Sequence, residues 1–160
     1  MTAATLAMQM ATSADRSIVI SRVIQAPREL VFTAWTEAEH VRRWWGPPAH
    51  PAAVLEMDVR PGGAWRGCLH GVEDGRQLWQ GGVFREVKAP ERLVFTFSWD
   101  EDGERGLETL VTIDFIEQDG KTQLRFHQAP FQSVAERDGH QGGWNGSFDR
   151  FVDYLTQAAR

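Results

Sequence analysis

The chain has 160 residues, 42% of them hydrophobic and 24% charged, which is ample for one folded unit with a sizeable core. A formal charge of −5 with its Arg and Lys scattered excludes the concentrated basic surface that nucleic-acid binding needs. One cysteine, Cys68, excludes an internal disulfide, and no run approaches the roughly 18 apolar residues of a membrane span.

Residues 1–16 are expected to be a loose tail ahead of a single domain over 17–160. They lack the basic and apolar regions of a signal peptide, so the expected compartment is the cytoplasm, with no membrane partner. Residues 17–24 are rich in β-branched side chains and read as the first strand. Pro27 then falls where a helix accepts proline, at its first position. Leu30, Val31, Ala34 and Trp35 make one apolar stripe on a helix of roughly ten residues. Thr36 with Glu39 has capping-box spacing and predicts a second short helix. Val41, Trp44 and Trp45 share its inner face, and Gly46-Pro47-Pro48 ends it.

The middle of the chain has the period of strands. Residues 54–59, 64–70, 78–88, 91–99 and 108–117 are separated by Pro61-Gly62-Gly63, Asp74-Gly75, Ala89-Pro90 and Asp102-Gly103. Asp119-Gly120 precedes one more strand carrying Leu124 and Phe126. Asp-Gly pairs supply the positive φ of tight hairpins, and no helix-length segment is free for parallel crossovers, so the sheet is an antiparallel meander. Leu93, Phe95, Phe97 and Trp99 alternate with Val94, Thr96 and Ser98, which predicts one apolar face and one mostly wet face. The segment 78–88 has no clean alternation and is expected to bulge at Gly81-Gly82.

Ser133 and Glu136 form a second capping box, followed by Trp144, Phe148, Phe151, Val152 and Leu155 at helical spacing. Gly139, Gly142, Gly143 and Gly146 weaken this helix, each by roughly 0.5–1 kcal/mol against Ala. They are expected to kink or loosen it in exchange for close backbone approach to the sheet or to a bound molecule.

Several motifs arrive in the order of a known family: Ala34-Trp35-Thr36, Trp44-Trp45-Gly46-Pro47, Arg60-Pro61-Gly62-Gly63, Pro90-Glu91-Arg92-Leu93 and Gly143-Trp144. Over residues 17–155 the chain resembles the AHSA-like group, homologues of the activator of the heat-shock-protein ATPase within the START-like, or SRPBCC, superfamily. The resemblance implies an α+β helix-grip fold. In it, a curved antiparallel sheet of six or seven strands wraps around a long C-terminal helix, with two short helices after the first strand and a cavity between sheet and helix. The superfamily includes lipid and hydrophobic-ligand carriers and polyketide cyclases. Eukaryotic activators resemble this sequence only in their C-terminal domain and bind the chaperone through another, so chaperone activation is not the expected activity.

The 7 tryptophans direct attention to an aromatic-lined interior. Trp45, Trp65, Trp79, Phe84, Phe97, Trp99, Phe131, Trp144 and Phe148 are the candidate ligand-binding residues, with Arg66, Arg85 or His127 as polar groups at the mouth. An empty apolar void of roughly 300 Å³ would cost about 7 kcal/mol at about 24 cal/mol per Å³. That rivals the whole stability of a domain, so a small pocket or narrow tunnel, wet or occupied, is expected.

Catalytic alternatives are weaker. Cys68 and His70 share a strand face without a third orienting residue, and Glu56 with Asp58 read as solvated carboxylates. The five histidines (His40, His50, His70, His127 and His140) lack metal-ligand spacing, and the glycines before Trp144 lack phosphate-loop spacing, so no metal or other cofactor is expected. The leading expectation is a binding module for a small hydrophobic or aromatic molecule. The second is a cyclase or aromatase-type enzyme using Glu56, Asp58, His70 or Asp114. The third is an interaction protein that forms a homodimer or touches a chaperone.

Overall fold

The computed structural model describes residues 15–101 and 103–158; the tail expected over 1–16 lies mostly outside these residues, as does Asp102 of the hairpin tip. Among the described residues these elements follow in order: β1 (Ile18–Ile24), α1 (Arg28–Thr36), α2 (Ala38–Val41), β2 (Ala52–Met57), β3 (Ala64–His70), β4 (Gln77–Lys88), β5 (Arg92–Glu101), β6 (Glu104–Arg105), β7 (Thr109–Gln118), β8 (Lys121–Ala129) and α3 (Val134–Ala158). The sheet runs β1-β8-β7-β5-β4-β3-β2 and every pairing is antiparallel. The two-residue β6, absent from the sequence reading, pairs only with β5. The edge strands β1 and β2 are consecutive in the chain, and α1 and α2 carry it from one edge to the other. α3 lies in the grip of the curved sheet, as a helix-grip fold requires.

The core takes one face of each strand. Leu93, Phe95 and Phe97 of β5, Val111, Ile113 and Phe115 of β7, and Leu124 and Phe126 of β8 are all buried. They meet Trp144, Phe148, Phe151 and Leu155 on α3, all buried in turn. Trp35 of α1 is the centre of this packing. Its ring lies 4.6 Å from Trp44, 5.9 Å from both Phe148 and Phe151, and 6.4 Å from Trp144. Edge-on and tilted aromatic pairs of this kind add about 0.5–1.5 kcal/mol each beyond area burial.

A buried indole must also place its N–H. The Trp144 N–H donates to Gln128 Oε1 at 2.7 Å, the Gln128 amide donates to Thr109 Oγ1 at 2.8 Å, and the Thr109 hydroxyl donates to the Phe97 carbonyl at 3.0 Å. Gln128 is fully buried. This chain of bonds ties the middle of α3 to β8, β7 and β5. At the edge, Arg22 of β1 reaches Asp149 of α3 at 2.7 Å, and His40 of α2 bonds Tyr154.

Local differences from the sequence reading have local causes. Pro27 is the residue before the helix, extended at φ −64° and ψ 148°. The Thr36–Glu39 capping box does not form, because the Thr36 hydroxyl donates instead to the Phe32 carbonyl one turn back, and Glu37 precedes α2. The Ser133 cap does form, its Oγ accepting the Glu136 N–H at 3.1 Å. The β4 irregularity falls between Phe84 and Glu86, while Gly81 keeps register with Ser98. The second face of β5 is not wet. Val94, Thr96 and Ser98 are buried, and Thr96 Oγ1 accepts the Val83 N–H at 2.8 Å, so the threonine folds onto the neighbouring strand.

α3 runs unbroken through its glycines. Only Gly146 answers a close approach, and its neighbour is a loop, not the sheet. A Cβ there would stand 3.1 Å from Pro47 Cβ and 3.2 Å from Pro48 Cδ.

Gln128→Leu should orphan the Trp144 N–H and cost about 1–3 kcal/mol in urea unfolding. A loss under about 0.5 kcal/mol would mean that the buried chain of bonds is not what anchors α3.

Candidate functional site

Gly46 fixes where the pocket wall begins. Its φ of +90° is a conformation that side chains disfavour, and a Cβ would lie 2.4 Å from the His50 carbonyl oxygen. The tight turn it allows sends Pro47, Pro48 and His50 across the open end of the sheet. Arg150 of α3 clamps the same turn. Its guanidinium donates to the carbonyls of Arg43 at 3.1 Å, Trp45 at 3.0 Å and Gly46 at 2.7 Å. Partial burial pulls the Arg150 pKa below its ordinary value.

Between this turn, the inner face of the sheet and the first half of α3 lies a cavity of about 200 Å³ that opens to solvent on one side. Trp45, Leu69, Leu78, Phe97, Trp99 and Trp144 form most of its wall, with Pro47 at the rim. Gly139 and Gly143 contribute bare backbone, and a Cβ on either would meet nothing within 4 Å. Gln80, His140, Ser147 and His50 are its polar residues.

Four of the nine candidate side chains line this cavity: Trp45, Phe97, Trp99 and Trp144. The other five lie elsewhere. Trp65 and Phe84 pack in the core around a residual void of about 10 Å³, with the Trp65 N–H donating to the Thr96 carbonyl at 2.9 Å. Phe148 is buried against Trp35, Phe126 and Trp144. Phe131 stands behind the pocket, its ring 4.9 Å from that of His140. Trp79 falls on the outer face because its neighbours Leu78 and Gln80 face inward, and there it carries the Arg66 guanidinium 4.1 Å from its ring centre. Arg66, Arg85 and His127 are therefore absent from the mouth: Arg66 stacks outside, and Arg85 and His127 are exposed.

The polar groups that replace them were not singled out by the sequence reading. His140 had a usable signal, since it sits four residues before Trp144 on the same helical stripe. Gln80 had none, because β4 lacks alternation. Trp45 donates its indole N–H to Gln80 Oε1 at 2.5 Å, and Gln80 is 2% exposed. Trp99 donates to His140 Nε2 at 2.9 Å. An indole nitrogen can only donate, so the neutral His140 ring carries its proton on Nδ1. Aromatic surroundings (Phe97, Trp99 and Phe131) desolvate the ring and lower its pKa to about 4.

None of Glu56, Asp58, His70 and Asp114 lines the cavity. Ser147 spends its hydroxyl proton on the Gly143 carbonyl at 3.0 Å. Among the described residues the wall thus holds no carboxylate and no paired nucleophile and base. Cys68 is buried outside it, and burial raises its thiol pKa. Among the described residues no three His, Cys, Asp or Glu side chains gather as a metal site, and no helix is long and apolar enough to cross a membrane.

The gripped helix and the cavity beneath its first turns define a START-like domain. The chain belongs to the family described as Activator of Hsp90 ATPase homolog 1-like protein, whose sequence model matches residues 25–156. No curated protein matches it significantly. Among solved structures it is similar to the AHSA1 protein of Silicibacter pomeroyi, at 23% identity and a TM-score of 0.80, covering 89% of this chain and 99% of that one. A Chromobacterium violaceum protein aligns at 24% identity and a TM-score of 0.79, over 86% and 96% of the two chains. A protein from Arthrobacter aurescens aligns at 21% and 0.80, over 91% and 88%. At these identities the likeness establishes the fold.

The His140 environment makes stability depend on pH in a defined direction. The unfolded ring takes up a proton near pH 6.5, whereas the folded ring resists until about pH 4. The unfolded state therefore binds more protons across that window, and stability falls as pH drops through it, by up to roughly 3 kcal/mol. His140→Phe should flatten the denaturation midpoint between pH 6.5 and 4 relative to wild type. An unchanged slope would place its source in other groups.

Proposed function

We propose that this domain binds a small, largely apolar molecule in the cavity between α3 and the sheet. The observation that carries the reading is the wall itself: indole and phenyl surfaces from the turn, β5 and α3 converge on an accessible hollow of about 200 Å³. An apolar cavity of about 150 Å³ takes benzene. The space here therefore suits a single substituted ring and is too small for a lipid chain pair. The rings that surround it are fixed by packing and by N–H bonds, so little side-chain entropy is lost on binding. A cyclase-type reaction has no support, since no titratable candidate from the sequence faces the hollow.

Saturable quenching of tryptophan fluorescence across a panel of one-ring apolar compounds tests the reading. At a ligand concentration about 100-fold above Kd, linkage contributes about 2.7 kcal/mol, which should raise Tm by roughly 5–10 °C in a chain of this size. Gly143→Leu fills the hollow from a position with open space beside its Cα. It should raise the Tm of the free protein, because leucine favours a helix over glycine, and abolish the ligand-induced rise. Failure of the whole panel, with the variant behaving like wild type, would count against the pocket.

A further inference from the structure

Two tryptophans set the polarity of the pocket. Trp45 and Trp99 present donor-only N–H groups to Gln80 and His140. The first bond fixes the Gln80 amide so that its oxygen faces Trp45 and its NH2 faces away. The second leaves the only proton of the neutral His140 ring on Nδ1. Neither the Gln80 NH2 nor His140 Nδ1 meets a partner among the described residues. Gln80 is 2% exposed, so its free NH2 can meet a partner only inside the hollow. The amide nitrogen is not among the buried polar atoms left without a partner, so it is open to the hollow, and a ligand that covers it must accept its hydrogen bond or lose affinity.

The acceptors nearby are already committed. Arg150 takes the carbonyls of Trp45 and Gly46, leaving the Ser147 oxygen as the acceptor among the polar side chains inside the wall. Among the described residues no Lys or Arg lines the cavity. An anion buried there would lack a cationic partner and lose its hydration without compensation.

We propose that the pocket selects a neutral one-ring aromatic compound bearing a carbonyl oxygen, which accepts the Gln80 NH2 hydrogen bond, with His140 Nδ1–H as the second donor. This rests on the binding reading above and names its ligand class. The ring occupies the space between Phe97, Trp99 and Trp144, and the carbonyl points at β4. Specificity follows because a ligand without the acceptor leaves the amide unpaired while gaining the same apolar contact.

The test compares two probes of nearly the same shape, acetophenone and α-methylstyrene, which differ in C=O against C=CH2. Benzoate is the charged third probe. Calorimetric titration of the wild-type protein should show acetophenone binding roughly tenfold tighter than α-methylstyrene, with benzoate the weakest. The Gln80 side-chain amide signal in a nitrogen–proton NMR spectrum should shift with acetophenone alone. Gln80→Met should bring the ratio of acetophenone to α-methylstyrene affinity close to one, and Gln80→Leu serves if the methionine variant does not fold. Equal binding of both neutral probes to wild type would overturn the selection and leave the binding reading standing. Tighter benzoate binding would overturn the neutral class, and no binding of any probe would remove the binding reading with it.

Discussion

Every buried indole in this protein poses the same constraint: a large apolar plate with one hydrogen that must find an acceptor. Five of the bonds that meet it cross between elements or segments. Trp44 donates to the Ala34 carbonyl, Trp45 to Gln80, Trp65 to the Thr96 carbonyl, Trp99 to His140 and Trp144 to Gln128. Burial alone would let these rings slide over one another, since dispersion has little direction. The N–H bonds fix each ring in rotation, and together they stitch the turn to β4, β3 to β5, and α3 to β5 and β8. Trp35 is the exception. Its N–H is buried with no partner among the described residues, and it stands where aromatic contacts are densest. Close packing of five neighbouring rings offsets the loss of that one bond.

The pocket is a by-product of the same arrangement. α3 cannot lie flush on the sheet along its full length because the Gly46 turn is wedged beneath its middle, held there by Arg150 and accommodated by Gly146. On one side of that wedge Phe148, Phe151 and Leu155 close the core completely. On the other, Gly139 and Gly143 withhold side chains and the hollow stays open. Glycine is costly in a helix, and α3 tolerates it because tertiary contacts, not propensity, hold the helix in place.

Electrostatically the interior is quiet. The ionisable side chains near the pocket, such as His50, which lies 3.5 Å from Asp74, sit at its rim. The residues inside are neutral, and His140 is kept so by its aromatic surroundings. A neutral, water-accessible cleft with preset donors is suited to recognition.

The amino-acid pattern by itself determined the strand sequence, the gripping helix and the family, because alternation, Asp-Gly turns and the 144–155 stripe are local signals of period two and 3.6. It sent nine aromatic rings inward together, and nothing in the pattern separated Trp45, Phe97, Trp99 and Trp144, which line the cavity, from the other five. Tertiary structure alone decided which aromatic rings close the core and which border the hollow. Trp79 went outside because β4 does not alternate in polarity and its register is set by β3 and β5. Gln80, His140 and Arg150 gained their roles only when distant segments met: Gln80 lies 35 residues from Trp45, His140 lies 41 from Trp99, and Arg150 lies 104 from Gly46. A hydrogen bond across such a separation leaves no periodic trace in the chain, so it becomes legible only once the sheet has closed around its helix.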